Sequence, residues 1–219
     1  MIKKMELRHP LWLRLLHWSN MISITMLCLT GFYIHAPQTF RLFSNMNNPR
    51  MLHFAMAYLL VFGLVMRIYF AIVTKDYKNI VYQPVKDTMK LPSMLLYYTF
   101  FKKSHPYYGK YNPGQKAMYT GWVFMALLQI ITGFVLYMPH TFAAVGGLLG
   151  GLITVRLIHY IITWLFVLSV MAHVYLDMSE GIPVLMSMFT GKMPADFDHG
   201  THEDVPGHVL EVPGKGIGA

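Results

Sequence analysis

The stretch VRLIHYIITWLFVLSVMAHVYLD, residues 155–177, decides the fold of this chain. About twenty of its residues are apolar, which at roughly 1.5 Å per residue is enough to cross a hydrocarbon core of about 30 Å. His159 and His173 interrupt it, fourteen residues apart. At a rotation of about 100° per residue, fourteen residues bring the two rings to within roughly 40° of each other around the helix, so they lie on one face. The rise per residue separates the two histidines by about 21 Å along the helix axis. We expect a membrane helix with one histidine near each surface of the bilayer.

The composition is that of a membrane protein. The 219 residues are 55% hydrophobic and 13% charged. The net charge of +8 does not indicate nucleic acid, because the lysines cluster beside apolar stretches, where they set topology and contact lipid headgroups. The only cysteine, Cys28, excludes a disulfide framework and a thiolate iron–sulfur site within this chain.

Four apolar spans predict an all-α membrane protein, a four-transmembrane-helix bundle over residues 1–177. The spans are 13–35, 51–73, 117–138 and 155–176. Residues 178–219 read as a cytoplasmic, acidic, Pro/Gly-rich tail. Basic residues concentrate at the N-terminal end and in the connection 74–116, which predicts that both termini face the cytoplasm. These residues are Lys3, Lys4, Arg8 and Arg14, then Lys75, Lys78, Lys86, Lys90, Lys102, Lys103 and Lys110, with Lys116 at the edge.

Two connections are unusually apolar. Residues 91–101 are too short to cross a bilayer and are flanked by lysines, so we expect them in the membrane interface. Residues 141–154, on the outer side, are Gly-rich and apolar. A water-exposed loop of this composition is unusual, so either a partner covers it or it dips into the headgroups.

The topology assigns depths to four histidines. His17 and His173 fall near the cytoplasmic surface, at what we call the inner level, and His53 and His159 fall at the outer level. Ionisable groups within membrane helices are costly and suggest function, although one such histidine could equally be a packed helix residue. Two pairs at two depths could each place imidazole nitrogens on opposite sides of a flat metal complex.

A haem b with two histidine ligands satisfies each pair, so we expect two haems per chain. Zinc would require more ligands at each site. A proton relay would require carboxylates, and the spans hold none before Asp177. Arg67 lies fourteen residues after His53 and could pair with a haem propionate, cap a polar site or extend to the surface as a snorkelling arginine. Gly31 and Gly133 permit either close approach of a ring or helix packing.

Several stretches together resemble the di-haem cytochrome b subunits of respiratory formate dehydrogenases and nickel–iron hydrogenases. They are HPLWLRLLHW at 9–18, RMLHFAMAYLLVFGLVMRIY at 50–69, KYNPGQKAMY at 110–119, TGF at 132–134 and RLIHYIITWLFVLSVMAHVY at 156–175. The resemblance covers residues 8–177 and implies the same haem ligands. In the formate dehydrogenase branch a KYNxGQK motif binds menaquinone, which implies a site near Asn112, Gly114, Gln115 and His173. The same residues could form a plain turn and helix start. The motif favours the formate dehydrogenase branch without separating it from the hydrogenase branch.

The expected function is that of a membrane anchor in the prokaryotic cytoplasmic membrane, which is not a complete enzyme by itself. The resemblance implies a large catalytic subunit and an iron–sulfur subunit as partners, in a multimer of heterotrimers. Electrons would pass through the outer and then the inner haem to menaquinone. The alternatives are a stand-alone transmembrane ferric reductase of the b561 kind, a quinol-oxidising subunit of a thiosulfate-reductase-type complex, and a haem-free carrier with packed histidines.

Overall fold

Helices account for most of the structure, a computed structural model that describes residues 5–39, 42–102 and 111–194. The helices are α1 (Leu11–His35), α2 (Asn47–Val73), α3 (Tyr77–Ile80), α4 (Pro84–Thr88), α5 (Leu91–Tyr98), α6 (Pro113–Tyr137), α7 (Ala143–Leu148), α8 (Gly151–Ser179) and α9 (Ile182–Thr190). Two short strands, β1 (Met5–Leu7) and β2 (Lys192–Pro194), pair with each other.

The four predicted spans are confirmed as α1, α2, α6 and α8, each long and apolar enough to cross a membrane. The helices begin two to four residues before the predicted spans, because the first turn of a helix can be polar and lie outside the hydrocarbon. The clearest case is α6, whose first turn holds Pro113, Gly114 and Gln115.

The long helices form two pairs, α1 with α2 and α6 with α8, and contacts between the pairs are fewer. A small apolar cluster of Ala126, Ile162 and Phe166 lies where the second pair meets the first. Large apolar side chains cover the outside of the bundle. In a chain that crosses a bilayer, lipid covers those side chains, so the folded bundle does not need to bury them against protein.

The described part of the connection between α2 and α6 contains three short helices. Asp87 anchors α4, since its carboxylate accepts a hydrogen bond from the Gln83 backbone N at 2.8 Å and lies 3.5 Å from Lys116 Nζ of α6. The helix α5 occupies most of the predicted interfacial segment and, at eight residues, is too short to cross a bilayer. On the outer side α7 packs against α6 through Gly146, where an added Cβ would lie 3.2 Å from Val135 Cγ1.

The segment after α8 is folded at least to residue 194, later than the tail predicted to begin at residue 178. Its helix α9 lies against the start of α1, where Trp18 Nε1 donates to the Met188 carbonyl at 3.1 Å and the Arg14 guanidinium donates to the Phe189 carbonyl. Strand β2 then pairs antiparallel with β1, with Glu6 opposite Met193. The apolar run IPVLMSMFT at 182–190 was the sequence signal for this helix.

The remaining tail, residues 195–219 with His199, His202 and His208, lies outside the described residues, as do Lys3, Lys4, Lys103 and Lys110. The tail's acidic character and the contribution of those lysines to topology therefore stay predictions from sequence. Strand β1 precedes the first span and β2 follows the last one, and the two strands pair with each other. Both ends of the described bundle therefore lie on the same side of it, as an even number of spans requires.

Candidate functional site

At the outer level each histidine is held by a threonine from the neighbouring helix. Thr30 Oγ1 lies 2.9 Å from His53 Nδ1, and Thr132 Oγ1 lies 2.8 Å from His159 Nδ1. Each hydroxyl also donates its own hydrogen to a backbone carbonyl four residues earlier, at 2.6 and 2.7 Å. Because a hydroxyl has one hydrogen, its oxygen must accept from the imidazole. We therefore assign the proton to Nδ1, which leaves both Nε2 lone pairs for a metal.

Glycines give these two rings their room. A Cβ added to Gly31 would lie 3.5 Å from His53 Cε1, and one added to Gly133 would lie 3.6 Å from His159 Cε1. Two neutral, oriented imidazoles in an apolar setting fit the axial ligand set of a haem b.

At the inner level, His17 and His173 also come together. Their ring centroids are 6.3 Å apart. Metal–nitrogen bonds of about 2 Å on each side of an iron would hold two imidazole centroids roughly 6 Å apart, so this spacing fits a second haem. His17 Nδ1 is buried and has no hydrogen-bond partner among the described residues. The inner pair therefore lacks the hydroxyl partners that orient the outer pair.

A carboxylate competes for one inner histidine. Asp177 Oδ2 lies 3.4 Å from His173 Nε2, one helical turn away on α8. An iron bound through Nε2 would replace this contact. Trp122 packs edge-on against the same imidazole, with ring centroids 5.2 Å apart, and donates from Nε1 to Ser169 Oγ at 2.8 Å. The inner site is therefore less preorganised than the outer one.

Arg67 lies at the inner level on α2, as its spacing from His53 predicts. Its Nη2 is 3.5 Å from Asp76 Oδ2, so its charge is balanced at the start of α3. Its Nη1 is buried and has no hydrogen-bond partner among the described residues. The guanidinium therefore keeps a free donor inside the bundle, which a snorkelling arginine would not.

The predicted quinone motif forms the start of α6. Asn112 and Gln115 make a capping box, since the Asn112 Oδ1 accepts from the Gln115 backbone N at 2.8 Å and the Gln115 Oε1 accepts from the Asn112 backbone N at 3.0 Å. Asn112 Nδ2 donates to the Tyr98 hydroxyl at 3.0 Å. A Cβ on Gly114 would meet only ordinary contacts. These side chains stabilise a helix start, and quinone binding by them stays a prediction.

Tyr98 joins this helix start to the end of α8. Its hydroxyl donates to the Glu180 carboxylate, and its backbone carbonyl accepts from the Tyr175 hydroxyl at 3.0 Å. Burial, together with the bond to Glu180, raises the pKa of Tyr98 well above its usual range. The phenol therefore stays protonated and remains a donor throughout the physiological range.

Sequence reasoning missed an internal repeat that relates the two helix pairs. Residues 30–40 read TGFYIHAPQTF and residues 132–142 read TGFVLYMPHTF; residues 50–54 read RMLHF and residues 156–160 read RLIHY. The repeat makes α6 the counterpart of α1, and α8 the counterpart of α2. A direct comparison of the first and third predicted spans would have found it.

Contacts repeat along with the sequence. His35 stacks on Tyr160 with ring centroids 4.5 Å apart, and their counterparts Tyr137 and Phe54 lie 4.4 Å apart. The threonine–histidine and glycine–histidine contacts of the outer level are counterparts in the same way. The outer histidine pair is therefore symmetric under an approximate two-fold relation between the helix pairs.

The family model described as prokaryotic cytochrome b561 matches residues 8–191, a range that includes α9 and all four histidines. The matched range extends beyond residue 177, where the resemblance noted from the sequence ends.

The chain is also similar to proteins named as hydrogenase subunits. A probable Ni/Fe-hydrogenase B-type cytochrome subunit of Azotobacter vinelandii is 32% identical over 197 residues, covering 81% of this chain and 82% of that protein. One of the same name from Cupriavidus necator is 30% identical, covering 77% of each. A probable Ni/Fe-hydrogenase 1 B-type cytochrome subunit of Escherichia coli K12 is 27% identical, covering 77% and 80%. The preference for the formate dehydrogenase branch is not supported by these relatives.

Proposed function

Since the chain belongs to the prokaryotic cytochrome b561 family, we propose that it is the membrane cytochrome b subunit of a nickel–iron hydrogenase complex. The observation that carries this proposal is the outer histidine pair, in which the threonine hydroxyls engage the Nδ1 atoms and so leave the Nε2 lone pairs for a metal. The names of the relatives from Azotobacter vinelandii and Cupriavidus necator support a hydrogenase as the partner.

In this proposal the chain holds two b haems. His53 and His159 hold one at the outer level, and His17 and His173 hold the other at the inner level. A haem bound at either site supplies one-electron redox chemistry. The protein would hold the haems through these four imidazoles, and Thr30 and Thr132 orient the outer two.

The chain lies in the prokaryotic cytoplasmic membrane with both termini in the cytoplasm, and electrons cross it from the outer to the inner level. A catalytic subunit that oxidises hydrogen and an iron–sulfur subunit bind at the outer end, as a multimer of heterotrimers. Menaquinone is the acceptor at the inner end, the level of His17 and His173. The lysine-rich connection before α6 supports this orientation.

The first prediction concerns the electron donor. Hydrogen added to native membranes should reduce the b-type absorption bands of this chain, whereas formate should not. Deleting the chain should abolish hydrogen-dependent quinone reduction but leave hydrogen oxidation with a soluble dye as acceptor, because the catalytic subunits keep their own active site. The measurement is difference spectroscopy on membranes from the parent and the deletion strain.

Two results would contradict the hydrogenase assignment. One is reduction of the b bands by formate alone. The other is a chain that purifies with its haems but without any iron–sulfur partner and reduces ferric chelates at full rate, which is the behaviour of a stand-alone transmembrane reductase.

The second prediction concerns the hydroxyl partners of the outer pair. Thr132→Val, and likewise Thr30→Val, should weaken retention of the outer haem by about tenfold and raise its reduction potential. The hydrogen bond from Nδ1 makes the imidazole more basic, which favours the ferric state, and partners of this kind typically contribute 10- to 100-fold to metal affinity. Redox titration of each variant measures the potential.

Thr25→Val is the matched control, because Thr25 lies on the same helix as Thr30 and its hydroxyl faces the Met21 sulfur at 3.7 Å. It should leave both potentials unchanged. If Thr132→Val leaves the outer haem's potential and retention equal to those of the parent, the threonine is a packing residue only.

A further inference from the structure

The internal repeat assigns counterparts to the inner histidines. His17 lies thirteen residues before Thr30, and Tyr119 lies thirteen residues before Thr132. His173 lies fourteen residues after His159, and Arg67 lies fourteen residues after His53. The two-fold relation that exchanges the helix pairs therefore maps the His17–His173 site, between α1 and α8, onto a position between α2 and α6. Arg67 and Tyr119 occupy that position.

Contacts at neighbouring positions support this mapping. Asn20 Oδ1 of α1 lies close to Gly63 of α2, since a Cβ added to Gly63 would be 2.0 Å from it. The counterparts of Asn20 and Gly63 are Trp122 and Ser169, and these two side chains are hydrogen-bonded at 2.8 Å. Both contacts join the helices of one pair just below the middle of the bundle. The repeat of helix contacts therefore extends from the outer level toward the inner level, although the side chains that make the contacts differ.

We propose that a quinone head group binds between α2 and α6 at the inner level, with Arg67 Nη1 and the Tyr119 hydroxyl as hydrogen-bond donors to its two carbonyl oxygens. This position is called the α2/α6 site below. The proposal rests on the proposed function and gives its acceptor a place, distinct from the capping box of Asn112 and Gln115.

Both donors are available. Among the described residues, Arg67 Nη1 is buried without a hydrogen-bond partner, and the Tyr119 hydroxyl makes no hydrogen bond. Arg67 lies on α2 and Tyr119 on α6, and these two helices are in contact. A buried donor without an acceptor is unfavourable, so an acceptor brought by a ligand would stabilise Arg67 Nη1.

The charge and shape of the α2/α6 site favour a neutral, flat ligand. Asp76 Oδ2 lies 3.5 Å from Arg67 Nη2, so the charge of this guanidinium is balanced within the protein, which favours a neutral ligand over a free anion. Aromatic rings line the way from the inner histidine: the ring centroids of Trp122 and Tyr119 are 6.0 Å apart, and those of Tyr119 and Tyr111 are 5.3 Å apart. A quinone ring can stack in such surroundings while its apolar tail remains in the lipid.

Asn112 and Gln115 are less suited to this role. The side-chain amide of Asn112 is engaged through both its oxygen and its nitrogen: Oδ1 accepts from the Gln115 backbone N, and Nδ2 donates to the Tyr98 hydroxyl. The side-chain Oε1 of Gln115 accepts from the Asn112 backbone N. A quinone oxygen that accepted from Asn112 Nδ2 would compete with the Tyr98 hydroxyl for this donor. The α2/α6 site offers donors that can be used without breaking an existing hydrogen bond.

The test is binding of a fluorescent hydroxyquinoline N-oxide, a quinone analogue, to the purified haem-loaded complex, followed by quenching of its fluorescence. Tyr119→Phe should weaken binding about fivefold, as expected for one hydrogen bond to a neutral group, and Arg67→Gln by about tenfold or more. Tyr137→Phe and Arg50→Gln make the same changes at the outer ends of the same two helices. These controls should bind the analogue as the parent does.

Three results would overturn the proposal, each in a different way. If the parent complex does not bind the analogue, the quinone acceptor of the proposed function fails together with the site. If Asn112→Ala with Gln115→Ala weakens binding while Tyr119→Phe and Arg67→Gln do not, the head group lies at the start of α6. If Arg67→Gln shifts the potential of the inner haem and leaves analogue binding unchanged, the arginine serves a haem propionate instead.

Discussion

Replacing His53 or His159 with alanine is expected to reduce the haem content from about two to about one protohaem per chain and to remove the outer component of the b-type spectrum. Replacing His17 or His173 should remove the inner component instead. Each haem would lose one of two axial imidazoles and be held by the other alone. Pyridine haemochrome assay of the purified variants gives the content, and redox titration separates the two components.

His35→Ala is the matched control, because His35 lies at the outer end of α1, where it stacks on Tyr160. It should retain both haems. Loss of the same spectral component in His17→Ala and His53→Ala would contradict the helix pairing proposed here. A parent protein with one haem per chain would contradict the inner site, where Asp177 competes for His173.

The bundle was predictable because its determinants are long and periodic. Four apolar runs of membrane-spanning length predicted α1, α2, α6 and α8, and the fourteen-residue spacing in α8 placed His159 and His173 on one face. The direction of each span then assigned the other two histidines to the same two levels. In the structure His17 indeed faces His173, although no property of α1 alone required it.

The surroundings of the histidines were not predictable from periodicity. Thr30 and Thr132 are ordinary residues for apolar helices, and only the packing of neighbouring helices brings their oxygens within 3 Å of an imidazole nitrogen. The internal repeat was visible in the sequence but required a comparison of spans rather than a search within each one. The motif around Asn112 was recognised, yet its capping geometry depends on the backbone of the first turn of α6.

The segment 178–194 shows a different limit. Its helix α9 is only nine residues long, and a short apolar run followed by an acidic, Gly-rich tail does not by itself predict a packed element. Its position depends on Arg14 and Trp18, whose side chains reach backbone carbonyls about 170 residues further along the chain. Contacts between such distant residues cannot be inferred from local pattern.

The internal repeat leads to the second large effect. Gly133→Leu should remove the outer haem and leave the inner one, and Gly31→Leu should do the same from the opposite side of the bundle. The Cβ alone would already lie 3.6 Å from His159 Cε1, or 3.5 Å from His53 Cε1, so the rest of a leucine must displace the imidazole. The haem content of both variants is expected to fall to about one per chain, with the potential of the inner haem unchanged.

Gly147→Leu is the control for these two variants, since a Cβ at Gly147 in α7 meets nothing within 4 Å. It should retain both haems, which separates a local effect on the imidazole from a general effect of a larger residue in place of glycine. Equal loss in Gly31→Leu and Gly133→Leu would mean that both helix pairs contribute alike to one symmetric site. If only one of them loses the outer haem, the two-fold relation does not extend to the cofactor, and the mapping that places Arg67 and Tyr119 opposite the inner histidines loses its main support.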